Sequence, residues 1–316
     1  MRASGAGRNW LVWLLVLPVL AWAVVRVLGL DGGFPLEAMM AFTPYAAVAG
    51  LLVLGVTVAA ENWAAAALAA LATAGLAAAV LPRAIGSETV AVEGHETISV
   101  LAANVYRGKA DPEALIALVR RLHPDVLSVE ELTTPFAEEL QAAGIERLLP
   151  ESLAKTQTGA AGAGIYARVP LVPLPDRTMF GFRMPRAEVT LADGRRVRIV
   201  SAHPFPPQTR SATPEWEESL ASLPSAGHGA PWILAGDFNG TFDQKPFRDL
   251  VARGYRDAGE AAGEGLRPTF PRAFHAIPPI TIDHVLADRR LGVVSYAVEE
   301  LPGSDHRAVY AELRLP

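Results

Sequence analysis

The sequence predicts an α/β protein in two parts: an N-terminal bundle of three transmembrane helices, then a two-sheet, four-layer α/β sandwich. Three observations lead there. The apolar content of this 316-residue chain, 51% overall, is concentrated in its first third. Beyond about Glu96 the pattern changes to strands alternating with helices. Polar residues with chemical potential then recur at the ends of those strands, which is where sites are assembled from distant segments.

The helices come first. Residues 10–30 are apolar except for Arg26, residues 38–60 are apolar apart from Thr43, Tyr45 and Thr57, and residues 63–81 are almost entirely Ala, Leu and Val. Each stretch reaches about 20 residues, enough to cross a hydrocarbon core as a helix. Pro18 is tolerated in such a helix. Trp10, Trp13 and Trp63 fall near span ends, where aromatic side chains gather. A cleaved signal peptide is the alternative for the first stretch, but its apolar region is too long and no small-residue cleavage site follows. Arg2 and Arg8 favour a cytoplasmic N-terminus, while Arg26 and Arg83 dilute that bias. Three spans then place everything after Pro82 outside the cell, in a multi-pass protein of the cell membrane. Residues 83–95 read as a linker, and residues 96–316 as the catalytic domain.

In that domain Thr97–Val105 reads as a strand. Asp111-Pro112 opens a helix to about His123, with Asp as cap and Pro in the first turn. Thr134-Pro135 and Thr213-Pro214 open two more helices by the same chemistry. Further strands are expected at 126–129, 164–167, 187–191, 197–202, 232–235, 280–286 and 308–313, about ten in all. The stretch Ile233-Leu234-Ala235-Gly236-Asp237-Phe238-Asn239-Gly240 organises the rest: an apolar run ends in a carboxylate and a carboxamide two residues apart. Spacing of two puts both on one face of an extended chain. A carboxylate there can orient or deprotonate water, and an amide can donate to a developing oxyanion. A strand end followed by an Asx turn is the alternative reading of these residues alone. Asn104, Glu130-Glu131, His203, Asp283-His284 and Ser304-Asp305-His306 occupy other strand ends. Each has its own plain alternative, such as a turn former, a solvated helix start or a surface histidine.

Gly-Asp-Phe-Asn at 236–239 and Ser-Asp-His at 304–306, in that order and about 65 residues apart, resemble the endonuclease/exonuclease/phosphatase superfamily of DNase I-like phosphoesterases. Residues 164–171 resemble the family's central strand, and the likeness extends over 97–316. The three spans ahead of it look like the membrane-anchored phosphatases linked to teicoplanin resistance. The resemblance implies a DNase I-like sandwich and dependence on Mg²⁺, with Mn²⁺ as a substitute. It implies Glu131, Asn104 and Asp305 on the metal side. His203 and Asn239 would donate to phosphoryl oxygens, and Asp237 would orient or deprotonate the attacking water. His306 would be the essential histidine, with Asp283 fixing its tautomer. Two positions depart from the family: Glu130 stands where glutamine is common, and Tyr106 where nucleases often carry an acid. Glu130 is expected to face the other side of its strand. Arg107 and Arg183 are candidate substrate contacts.

Composition narrows the substrate. There is no cysteine, so no disulfide and no thiolate zinc site. From Thr97 onward 24 basic residues face 27 acidic ones, with no basic stripe for a polynucleotide backbone, so no stable nucleic-acid partner is expected. An anchored domain on a short tether works on head groups at the bilayer. The expectation is a phosphohydrolase acting on a membrane lipid pyrophosphate of the undecaprenyl type, with a role in glycopeptide resistance. The alternatives are an extracytoplasmic nuclease, a sphingomyelinase-like phosphodiesterase, and a tethered binding module without turnover.

Overall fold

The computed structural model describes residues 6–86, 89, 96–272 and 277–316. The chain forms two compact units, one of residues 1–82 with the segment 242–245, the other of residues 83–241 and 246–316.

The first unit is helical: α1 (Ala6–Leu28), α2 (Leu36–Met40), α3 (Thr43–Ala59) and α4 (Trp63–Val80). Val12 and Val16 pack with Ala65 and Ala69, and Val19 and Ala23 with Ala72 and Leu76, so α1 and α4 meet through small side chains. Asn62 caps α4 by accepting from the Ala65 amide at 3.2 Å. Among the described residues two helices, Trp10–Leu28 and Trp63–Val80, are long and apolar enough to cross a membrane. The expected span at 38–60 is instead broken. The Thr43 hydroxyl bonds the Met40 carbonyl and Pro44 starts a new helix, which leaves an apolar helix of 17 residues at Thr43–Ala59.

The second unit begins with α5 (Pro82–Ile85), so the expected linker starts in a helical turn. Most of the rest of that linker lies outside the described residues. Twelve strands follow: β1 (Thr97–Asn104), β2 (Val126–Glu130), β3 (Glu151–Lys155), β4 (Ala163–Ala167), β5 (Leu171–Met179), β6 (Phe182–Thr190), β7 (Arg196–Ala202), β8 (Trp232–Asp237), β9 (Tyr255–Asp257), β10 (Asp283–Asp288), β11 (Gly292–Glu299) and β12 (Ala308–Arg314). Helices α6 (Pro112–Leu122), α7 (Thr134–Ala142), α8 (Ala212–Ala221), α9 (Lys245–Val251) and α10 (Ala258–Ala261) connect them. Asp111 caps α6 as expected, accepting from two backbone amides. At α7 the cap is Thr133 rather than Thr134, and at α8 the N-cap Ser211 makes no side-chain cap bond.

The strands form two six-stranded sheets, β11-β12-β1-β2-β4-β3 and β5-β6-β7-β8-β10-β9. Each is antiparallel except for one central parallel pair, β1–β2 in the first and β7–β8 in the second. Ile98, Val100 and Ala102 of β1, Ile199 of β7, Ile233 and Ala235 of β8 and Val285 of β10 share one apolar layer between the sheets. Leu101 and Ala103 of β1 face the other way, onto Leu115 and Ile116 of α6 and Phe136 of α7. The two-residue alternation along a strand therefore decides which side chains reach the space between the sheets.

Candidate active site

Following that alternation outward from the inter-sheet core gives the site. In β1 the series 98, 100, 102 arrives at Asn104. In β7 the series 197, 199, 201 arrives at His203. In β8 the series 233, 235 arrives at Asp237, and β10 starts with Asp283 before Val285. The parallel pairs end on the same side, and Asp283 is in register with Asp237 across β10 and β8. All four side chains are buried.

Their contacts are mutual. Asn104 Nδ2 donates to Asp237 Oδ2 at 3.0 Å and to Glu131 Oε1 at 3.3 Å, while its side-chain Oδ1 accepts from the Tyr106 amide. His306 Nδ1 meets the Asp283 carboxylate at 2.9 and 3.1 Å. Its Nε2 lies 3.7 Å from Asp237 Oδ2 and 3.9 Å from Asp305 Oδ1. His203 Nε2 approaches the same Asp237 Oδ2 at 3.6 Å. The Asn239 amide nitrogen donates to Asp237 Oδ1 at 2.8 Å, and its side-chain amide donates to the Pro204 carbonyl. Arg107 stands at the rim, its Nε 4.0 Å from Glu131 Oε2. Arg183 is not drawn in: its guanidinium is held by Thr178 on the β5–β6 hairpin.

Glu131 reaches the cluster by a device invisible to strand periodicity. Its φ is +59°, a left-handed conformation that reverses the chain at the end of β2. Glu130 keeps the parity of Asn104 and turns inward. Contrary to expectation it does not face away: its carboxyl is wholly buried between the sheets, accepting from Ser128 and Ser201 Oγ at 2.5 and 3.1 Å. Gly236 makes room for it, because a Cβ there would stand 2.7 Å from Glu130 Oε1 and 2.3 Å from the Ala202 carbonyl.

Two clamps hold the turn that follows β8. Trp216 Nε1 of α8 donates to the Phe238 carbonyl at 2.9 Å. His284 Nε2 meets the Gly240 carbonyl at 3.0 Å, and its Nδ1 meets Asp257 at 2.9 Å. Asn239, at φ +49°, sits between these two fixed carbonyls. A Cβ on Gly240 would lie 2.7 Å from the Trp216 ring. Sequence reasoning missed Trp216, a single aromatic in a helix with nothing to mark it. It left His284 open as a surface step, whereas the residue is buried.

Burial sets the electrostatics. It pushes the Asp237 carboxyl up, against the pull of the His306 imidazole, with Asp283 adding repulsion. Burial lowers His306, but the Asp283 and Asp237 carboxylates outweigh it and hold the imidazolium to about 10. His203 has burial and the neighbouring His306 charge against it, and falls to about 3. Burial raises both Glu131 and Asp305, with the His306 charge pulling both back down and a neighbouring acid, Asp305 for Glu131 and Asp283 for Asp305, adding repulsion.

The donor set suits a divalent cation. Glu131 Oε2 and Asp305 Oδ1 are buried oxygens with no hydrogen-bond partner, the arrangement a hard cation with oxygen ligands relieves. Asp237, Asp283 and His306 also offer ligand atoms within 4.8 Å of one another. Of that trio, His306 and Asp283 already bind each other, so the acids with unpartnered oxygens are the stronger candidates.

A two-sheet sandwich with carboxylates, amides and histidines gathered at the ends of its central parallel strands is the framework of a phosphoester hydrolase. The sequence profile of the Endonuclease/Exonuclease/phosphatase family matches residues 101–306, and the chain belongs to that family, whose members hydrolyse phosphoester bonds with divalent metals. Solved structures agree on the fold. A humanized zebrafish (D. rerio) TDP2 superposes with a TM-score of 0.53 at 20% identity, over 69% of this chain and 98% of that one. An endonuclease/exonuclease/phosphatase from Beutenbergia cavernae gives 0.51 at 20% identity, over 69% and 72%. One from Bacteroides thetaiotaomicron gives 0.52 at 15%, over 70% and 99%. No curated protein sequence matches the chain.

Proposed function

We propose that this protein is a membrane-anchored, Mg²⁺-dependent phosphohydrolase that dephosphorylates a polyprenyl pyrophosphate of the undecaprenyl type outside the cell, as a phosphatase resembling the teicoplanin-resistance protein VanJ. The reading of the chemistry rests on one observation: two acids with unpartnered buried oxygens, Glu131 and Asp305, beside an imidazolium held by Asp283. The choice of a lipid rests on the apolar helices of the first unit.

Water attacks phosphorus in line with the leaving oxygen. Asp237 orients that water and takes its proton, a task for which a carboxylate raised toward neutrality is suited. Asn104 fixes Asp237 against Glu131. His306, kept protonated by Asp283, and the amide of Asn239 donate to the phosphoryl oxygens as negative charge builds there. His203, neutral and buried, supplies a further Nε2 beside Asp237. Glu131 and Asp305, with Asn104 at the end of β1, would hold the Mg²⁺. A bound divalent cation neutralises phosphoryl charge and orients the substrate.

Full-length protein in detergent micelles with Mg²⁺ is expected to release phosphate from undecaprenyl pyrophosphate, and to lose that activity on Asp237→Ala or on chelation. A C-terminal reporter fusion is expected to be active only outside the cytoplasm. The second reading is a nuclease or phosphodiesterase. It is favoured by the likeness to D. rerio TDP2, which has been solved with a single-strand DNA product. Brisk cleavage of DNA or sphingomyelin with no phosphate from any prenyl pyrophosphate would select it.

A further inference from the structure

One wall of the site has no part in the chemistry above. The Phe182 ring stands 5.0 Å from the His203 ring at 67°, Phe205 stands 5.1 Å from Phe182 at 76°, and Phe180 stands 6.2 Å from Phe205 at 65°. These rings make a continuous file from the catalytic histidine to solvent. His203 is buried, Phe182 and Phe205 are half-buried, and Phe180 is 41% exposed at the outer end.

The outer end is a second, independent observation. Phe180 and Gly181 form the two-residue turn between β5 and β6, with φ values of +51° and +87°. Left-handed backbone at both positions is the hairpin turn that Asn-Gly suits best. A bulky aromatic residue at its first position works against the backbone and gains little burial in return. Strain of this kind, beside an active site and displaying an apolar ring to water, points to a ligand for the ring.

We infer that Phe182, Phe205 and Phe180 form a specificity wall that takes the hydrocarbon chain carried on the leaving phosphate of the pyrophosphate, with Phe180 as its outermost contact. This deepens the proposed function and rests on that reading for the position of the phosphate beside His203. The ring geometry selects hydrocarbon over nucleobase. A base gains from lying parallel to a free aromatic face. Here successive rings stand edge to face, and Phe182 already has a ring on either side of it. The surface that remains is a ridged strip of ring edges. A flexible chain profits from such a strip in proportion to contact area, with no demand on direction. Met179, Pro204 and Pro206, the chain neighbours of Phe180 and Phe205, carry no charge.

The test measures binding apart from turnover. Full-length protein in one fixed detergent is titrated calorimetrically with dimethylallyl, geranyl and farnesyl monophosphate and with thymidine monophosphate. Affinity is expected to rise along the prenyl series. Phe180→Ala combined with Phe205→Ala should lower the farnesyl-to-dimethylallyl affinity ratio about ten-fold, and Phe180→Trp should keep it. Partition of the ligand into detergent is common to every protein and cancels in that comparison. A wild type that shows no chain-length preference overturns the inference, as does an equal loss for all prenyl phosphates in the double variant. So does a greater loss for thymidine monophosphate than for the farnesyl compound. If the chain-length pattern appears but no prenyl pyrophosphate is hydrolysed, the wall stands and the assigned reaction falls. If hydrolysis occurs with no such pattern, the reverse holds.

Discussion

Two histidines approach one oxygen of Asp237, His203 at 3.6 Å and His306 at 3.7 Å, yet they are in opposite electrical states. The wall behind His306 is acidic. Asp283 bonds its far nitrogen and Asp305 lies near its other one, so the ring is held as a cation. Both rings have an aromatic neighbour, Phe270 at 4.6 Å from His306 and Phe182 at 5.0 Å from His203, but beside His203 burial outweighs the nearby carboxylates and keeps the ring neutral. Equal distance to a carboxylate therefore does not decide protonation; the groups behind the ring do. The site has a charged side suited to phosphoryl oxygens and a dry side suited to what the phosphate carries.

The comparison breaks most completely at its centre. Asp237→Asn, or removal of the cation by His306→Ala, is expected to reduce kcat/KM by about a thousand-fold, within the usual range for general acid–base groups, with circular dichroism unchanged. On the acidic side, Glu131→Gln should raise the Mg²⁺ concentration for half-maximal activity by roughly 10- to 100-fold, read from a metal titration at saturating substrate. A variant that keeps the wild-type titration would move the metal away from Glu131. Trp216→Phe keeps an aromatic ring but deletes the N–H bond to the Phe238 carbonyl, worth about 1 kcal/mol, and leaves a gap where the larger indole was buried. It should lower kcat about ten-fold with KM little changed, because Asn239 loses one of its two fixed neighbours.

Two pH experiments sharpen the contrast. The basic limb of kcat/KM belongs to His306, so Asp283→Asn, which removes the carboxylate that raises it, should shift that limb to lower pH. The sign is opposite for His203 in stability. Its folded value, about 3, lies below the unfolded value of ~6.5, so the unfolded chain binds the proton first as pH falls. Stability should decline from about pH 6.5 downward, and His203→Gln should make the decline in Tm shallower.

Much of this was legible in the sequence because alternation is a physical rule. The apolar parity of β1, β7 and β8 leads to Asn104, His203 and Asp237 without reference to any structure. Glu131 was reached only through family likeness, since parity alone selects Glu130, and only a left-handed residue brings the second acid round. The strands missed were β3, β5, β9 and β11, the edge strands of the two sheets, where burial on one face imposes the weakest pattern. β5 runs along a sheet edge with exposed Val172 and two prolines at 173 and 175, and β9 has three residues. The expected strand at 280–286 starts only at Asp283; Ile280 makes an isolated bridge to Phe270 instead. Trp216, His284 and the aromatic file had no sequence signature, because they act through contacts between segments far apart in the chain.

β1 lies between β2 and β12, and His306 stands two residues ahead of β12. The earliest strand of the sandwich thus waits for the latest one to complete its hydrogen bonding on one side. The imidazole can meet Asp283 only once every strand from β1 to β11 has been made, so a chain stopped before Ser304 would hold Asn104, Glu131, His203 and Asp237 without the cation that joins them.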